Sequence, residues 1–121
     1  MTDLSMGPVE SRFARIIWEN EPISAADLAR LADQELKWKK TTAYTALKRL
    51  CEKGIFRNEG GCVTSVLSRE EYQARQSRKF LDDTCGGSIP AFLAAFTKKG
   101  SLSRQDLAEI RKMLDEYEKE V

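Results

Sequence analysis

Apolar residues recur at intervals of three and four through most of this sequence, which is the spacing of a buried helical face. Val9, Phe13, Ile16 and Ile17 fall at i, i+4, i+7 and i+8, with Trp18 at the edge of that face, so a first helix is predicted over residues 8–19. Pro8 suits its first turn, where a missing N–H leaves nothing unpaired, Gly7 can cap it, and Glu10 sets a negative charge against the helix dipole. Asn20-Glu21-Pro22 ends it. Ser24, with Asp27 three residues on, opens a second helix with a stripe of Ala25, Leu28, Leu31 and Ala32, and a polar connection from Asp33 to Lys37 leads to Trp38.

The third helix is the most informative element. It is predicted from about Lys40 to Lys53, stopped by Gly54, with Ala43, Ala46, Leu47, Leu50 and Cys51 on one face. Thr41, Thr45, Lys48 and Arg49 occupy the other, flanked by Thr42 and Tyr44, and the small Ala43 and Ala46 allow a close neighbour. Ile55-Phe56-Arg57-Asn58 and Val63-Thr64-Ser65-Val66-Leu67 then read as short strands around a Gly60-Gly61 turn. Three helices followed by a hairpin is the order of a winged helix-turn-helix.

Beyond residue 68 the pattern is helical throughout. Ser68-x-x-Glu71 is a capping box for a fourth helix with Tyr72, Gln76 and Phe80 in line, and Cys85-Gly86-Gly87 breaks it. Ser88 caps a fifth bearing Ile89, Phe92, Leu93 and Phe96, ended by Gly100. Ser103 opens a sixth, with Leu102 and Leu107 placed as a hydrophobic staple and Leu107, Ile110, Leu114 and Tyr117 near a heptad seam. The predicted fold is mainly α with a small two-stranded β wing: a winged helix-turn-helix domain over residues 6–67 and a C-terminal helical dimerisation region over 68–121. Three short helices bury their stripes poorly on one another, so a second copy of the chain is the inferred partner, with Tyr72, Phe80, Ile89, Phe92, Leu93, Phe96, Leu107, Ile110, Leu114 and Tyr117 as interface residues. The alternative is a tail folded back on the N-terminal domain.

Composition narrows the chemistry. The 121 residues contain no histidine, which removes Ser-His-Asp and Cys-His nucleophiles, HExxH zinc sites and imidazole acid–base mechanisms. No phosphate-binding glycine loop or nucleophile elbow is present, so the chain reads as a non-enzyme without cofactor or metal. Cys51, Cys62 and Cys85 share no CxxC spacing and are expected as reduced thiols, Cys51 as a small core hydrophobe and Cys62 and Cys85 as the two with any redox prospect. No apolar run reaches the length of a membrane span, and the chain is read as cytoplasmic.

Charge is where the picture sharpens. The net formal charge is only +1, yet between Leu36 and Asn58 seven cations (Lys37, Lys39, Lys40, Lys48, Arg49, Lys53, Arg57) face Glu52 alone, a local net of +6. Such a cluster makes a positive field that phosphate backbones seek. Lys39, Lys40, Thr41, Thr42, Tyr44, Thr45, Lys48 and Arg49 are therefore candidate DNA-binding residues, with Arg57 and Asn58 as wing contacts. Arginine suits guanine edges, and threonine offers a hydroxyl and a methyl. Trp38 reads as a core plug between the second and third helices. The competing reading is a winged helix that docks an acidic protein on its basic face.

The ordered segments Ile16-Ile17-Trp18, Ile23-Ser24-Ala25, Trp38-Lys39-Lys40-Thr41-Thr42-Ala43-Tyr44-Thr45 and Arg49-Leu50-Cys51-Glu52-Lys53-Gly54, with Phe80-Leu81, Gly86-Gly87-Ser88, Phe96 and Leu102-Ser103, resemble the family of penicillinase, methicillin-resistance and copper-responsive repressors. The resemblance covers nearly the whole chain. It implies a homodimeric winged-helix repressor on a short palindromic operator of double-stranded DNA, with base contacts from Thr41, Thr42, Tyr44 and Thr45 and Arg49 near the backbone. Three positions depart from the family pattern: Lys39-Lys40 replaces the usual Ser-Pro at the start of the recognition helix, and Tyr44 stands where a basic residue is common. The resemblance also implies a cleavage site at Ala95–Phe96, where β-lactam-responsive members have Asn-Phe, and with it a membrane sensor-protease as partner. The cysteine motif of copper-responsive members is missing from residues 113–121.

Overall fold

The structure is a computed structural model that describes residues 4–121. The elements follow in the order α1 (Pro8–Asn20), β1 (Ile23–Ser24), α2 (Ala25–Leu36), α3 (Lys40–Glu52), β2 (Phe56–Glu59), β3 (Cys62–Ser65), α4 (Arg69–Cys85), α5 (Ile89–Lys99) and α6 (Arg104–Glu120). Two compact units result, one ending at Ser77 and the other running from Arg78 to Val121.

The first unit is a winged helix. α1, α2 and α3 enclose a core in which Phe13, Ile17, Leu28, Leu50, Ile55, Phe56 and Val63 are almost fully buried. Ala25, Ala29 and Ala32 on α2 and Ala43 on α3 are also buried, and their small side chains leave room for a close approach of neighbouring elements. Val9, expected on the inner face of α1, is 48% exposed, and Ala14 is buried on that helix instead.

Most helix boundaries have a visible local cause. Pro8 starts α1 behind Gly7, and the Asn20 side chain donates to the Ile16 carbonyl (2.8 Å), satisfying one of the acceptors freed at the helix end. The Ser24 hydroxyl accepts from the Asp27 N–H (3.0 Å) to begin α2. α2 runs further than expected, through Asp33 to Leu36, and ends at Lys37, a non-glycine residue with φ +59°. α3 closes on a Schellman motif: the Gly54 N–H bonds the Cys51 carbonyl (3.0 Å) and the Ile55 N–H bonds Leu50 (3.2 Å), while both Leu50 and Ile55 are fully buried.

The wing differs from expectation in one respect. β2 and β3 pair antiparallel with Glu59 opposite Cys62, which leaves Gly60 and Gly61 as the whole turn. Both have positive φ (+60° and +87°), as a two-residue hairpin matching strand twist demands. The expected two-stranded wing is, however, a three-stranded sheet of order β1-β3-β2, because Ile23 and Ser24 pair with Val63 and Cys62. Two residues directly after a proline carry too little periodicity to announce a strand; the sheet edge left open by β3 recruits them.

α4 opens on the capping box read from sequence, with Glu71 N–H bonded to the Ser68 hydroxyl (3.1 Å) and Ser68 N–H to the Glu71 carboxylate (3.3 Å). In the second unit, Ser88 caps α5 and the Ser103–Asp106 box caps α6. Phe80 meets Phe92 edge-on at 6.1 Å between ring centroids, and Phe92 stacks on Phe96 at 6.1 Å. No residue of α5 or α6 is buried.

Candidate nucleic-acid interface

α3 presents two different faces because Ala43, Leu47 and Leu50 turn inward. Thr41, Thr42, Tyr44, Thr45, Lys48 and Arg49 are all exposed on the remaining surface, as are Lys39 and Lys40 at its start. Lys39 occupies the N-cap position with extended geometry but makes no side-chain cap bond. The first N–H groups of α3 therefore have no side-chain cap, and two lysines stand at the start of the helix, a combination that attracts phosphate oxygens.

Two side-chain contacts shape the exposed face. The Thr45 hydroxyl donates to the Thr41 carbonyl (2.9 Å). Its hydrogen is thereby engaged, so toward a ligand the Thr45 oxygen acts as an acceptor, with the methyl group beside it. One turn earlier, the Lys40 ammonium lies 5.9 Å from the centroid of the Tyr44 ring, within cation–π range. An open depression of about 410 Å³ borders this face, lined by Thr41, Thr42, Thr45, Ala46 and Arg49 of α3 together with Trp38 and Glu10.

The seven cations of the basic stretch divide into two classes. Among the described residues, Lys37, Lys39, Lys40, Lys48 and Arg49 form no ion pair. Lys53 instead reaches back to α1, pairing with Glu10 (2.9 Å) and donating to the Ser5 carbonyl (2.8 Å). Arg57 lies 3.3 Å from Glu59 on the wing, an exposed pair of little energetic weight. Asn58 has a structural task, since its side-chain oxygen accepts from the Gly61 N–H (3.1 Å) and holds the wing turn.

Trp38 is half-buried and packs its ring 5.0 Å from Phe13 of α1, so its core contact reaches α1 as well as serving the α2–α3 junction. Trp18 anchors the other side of the core: its indole N–H donates to Leu67 (3.0 Å), and its ring lies 5.1 Å from Phe56 and 5.6 Å from Tyr72. Tyr72 is thus buried inside the first unit, with its hydroxyl donating to the Leu4 carbonyl (2.9 Å) and accepting from Gln76 (3.0 Å). The other residues grouped with it by periodicity lie elsewhere. Phe80, Ile89, Phe96, Leu107, Leu114 and Tyr117 are between 39% and 64% exposed, while Phe92, Leu93 and Ile110 are half-buried. Ala95 and Phe96 sit exposed within α5.

Trp38, read from sequence as a core plug, also lines the margin of the α3 face, and Glu10 joins it there. The sequence signals Glu10 only as a first-turn acid, which a helix dipole explains equally well. Cys62 is exposed on β3, and Cys51 and Cys85 are half-buried. Burial, reinforced by the neighbouring Glu52 charge, pushes the Cys51 thiol above its ordinary value. Among the described residues there is no group of three or more histidine, cysteine, aspartate or glutamate side chains able to hold a metal, and no helix long and apolar enough to cross a membrane.

Comparison with known proteins gives this geometry a context. The sequence profile of a family described as "Penicillinase repressor" matches residues 6–116. The methicillin resistance regulatory protein MecI of Mammaliicoccus sciuri is 24% identical over 104 residues, covering 83% of this chain and 85% of that protein. An uncharacterized 16.5 kDa protein in the ptsI 3'region of Latilactobacillus sakei is likewise 24% identical over 104 residues, covering 83% of this chain and 71% of that protein.

Proposed function

Because the chain belongs to the penicillinase repressor family, whose members are DNA-binding transcriptional repressors, we propose that it acts as a homodimer on a palindromic operator. In this reading α3 enters the major groove. Thr41, Thr42, Tyr44 and Thr45 meet base edges, Lys39, Lys40, Lys48 and Arg49 meet phosphates, and Arg57 on the wing touches the flanking backbone. The observation that carries the reading is the exposed face of α3, where hydroxyls and cations without ion-pair partners among the described residues stand on a helix whose opposite face is locked into the core. A helix held in that way, projecting its N-terminal side chains, is how helix-turn-helix proteins read bases.

The second unit supports the dimeric part of this reading. Ile89, Leu114 and Tyr117 are 60% or more exposed, and large apolar side chains left bare on two helices of one unit favour an association partner. A second copy supplies a matching surface by two-fold symmetry, and that symmetry calls for an operator with two inverted half-sites. Repression then consists of occupying promoter DNA. The Ala95–Phe96 bond in α5 is the candidate point of proteolytic release by a sensor-protease.

A selection from random duplexes tests the reading directly by returning the preferred sequence. An inverted repeat is expected. With that duplex, Lys48→Glu and Arg49→Ala should each abolish gel retardation at moderate salt, and wild-type affinity should fall steeply with salt as phosphate-bound counterions are released. A flat salt response, or retardation untouched by both substitutions, would favour docking of an acidic protein instead.

A further inference from the structure

Lys53 belongs by sequence to the basic stretch, yet its ammonium is turned away from the exposed face of α3. It lies 2.9 Å from the Glu10 carboxylate and 2.8 Å from the Ser5 carbonyl, and the two paired side chains are only 26% and 21% exposed. Glu10 is meanwhile on the rim of the depression shared by Thr41, Thr42, Thr45 and Arg49. A carboxylate at that place is a problem for any polyanion approaching α3: unmasked, it repels phosphate, and it can also draw the Arg49 guanidinium into an ion pair across the same depression.

We propose that Lys53 is a positioning residue for DNA binding, which acts by holding and neutralising Glu10 so that Arg49 stays available to the duplex. Lys53 itself touches no phosphate. The inference rests on the DNA-binding reading of α3 and adds to it an assignment of which cations act directly and which act through a neighbour. It also explains why one acidic side chain is tolerated beside a surface that must accept a polyanion. The pair ties α1 to the end of the α3 helix and removes net charge at the margin, leaving Lys39, Lys40, Lys48 and Arg49 as the attractive set.

The test is a double-mutant cycle on the full chain, with affinity for the selected duplex measured across a salt series. Lys53→Met is expected to weaken binding about tenfold, and Glu10→Gln/Lys53→Met to recover to within about threefold of Glu10→Gln, the signature of two coupled residues. Glu10→Gln alone should bind at least as tightly as the unmodified chain. In Lys53→Met the slope of log affinity against log salt should fall as Arg49 is drawn to Glu10, whereas in Glu10→Gln/Lys53→Met it should match that of Glu10→Gln, because a true phosphate contact by Lys53 would lower it there by about 0.9. A double variant as weak as Lys53→Met, a slope lower in the double variant than in Glu10→Gln, or a Lys53→Met protein with unchanged affinity would each overturn the proposal. Thermal melting followed by circular dichroism adds a check: if both variants lose binding only in step with unfolding, the pair is structural and the proposal fails. Arg49→Ala keeps the two levels apart, since its failure to weaken binding defeats the DNA reading of α3, while its success alongside an inert Lys53 defeats only this inference.

Discussion

At the scale of single residues, function on this chain is decided by where a side chain's hydrogen-bonding capacity has already been used. Thr45 has given its hydrogen to Thr41, and Asn58 has given its oxygen to the wing turn. The three cysteines are separated by the same kind of accounting. Cys62 is exposed, whereas Cys51 is half-buried with its thiol pushed upward by desolvation and by Glu52. Thiolate is the reactive form, so iodoacetamide near pH 8 should modify Cys62 well before Cys51, as mass spectrometry of timed aliquots would show. For stability the sign is fixed: the fold favours the neutral Cys51 thiol, and that contribution is complete below the ordinary thiol range and disappears as pH climbs through the raised folded-state value.

At the scale of elements, the start of α3 shows stability traded for charge. Serine caps a helix through its side-chain oxygen, and Lys39 cannot. Lys39→Ser should therefore raise thermal stability by about 1 kcal/mol while weakening DNA binding and reducing its salt slope by about 0.9. Parallel melting and binding curves would show the two changes running in opposite directions. Much at this scale was legible in the sequence because its causes are local. Pro8, Ser68 with Glu71, Ser103 with Asp106, and Gly54 mark helix ends through partners within four residues, and the Gly60-Gly61 turn announces the hairpin. The readings that needed more were those whose partners are distant in sequence. β1 exists only because β3 offers an edge 40 residues away, as Ile23 opposite Val63 shows. Lys53 finds Glu10 across 43 residues, which no charge count reveals. Tyr72 shares the periodicity of α4 with Phe80, but periodicity gives a face and not the neighbour that covers it.

At the scale of the whole molecule, the two units bury their apolar residues very differently. The first holds nearly the entire buried core; α5 and α6 of the second bury nothing, and Leu114 and Tyr117 are 60% and 64% exposed. The proposed dimer would cover these exposed residues. Leu114→Glu with Tyr117→Glu should convert a species sedimenting at twice the chain mass into one sedimenting at the chain mass. The first unit should keep its melting transition, and affinity for a two-half-site duplex should drop toward that for a single half-site, because the second contact ceases to be intramolecular.

The chain's two tryptophans are placed like a matched pair of lamps. Trp18 is enclosed by Phe56 and Tyr72, while Trp38 borders the depression beside Thr41 and Arg49. Ultraviolet emission from Trp38 is consequently expected to respond to what fills that depression, and emission from Trp18 to the integrity of the fold. Replacing one or the other by phenylalanine yields a label-free gauge of occupancy and a separate gauge of folding within the same polypeptide.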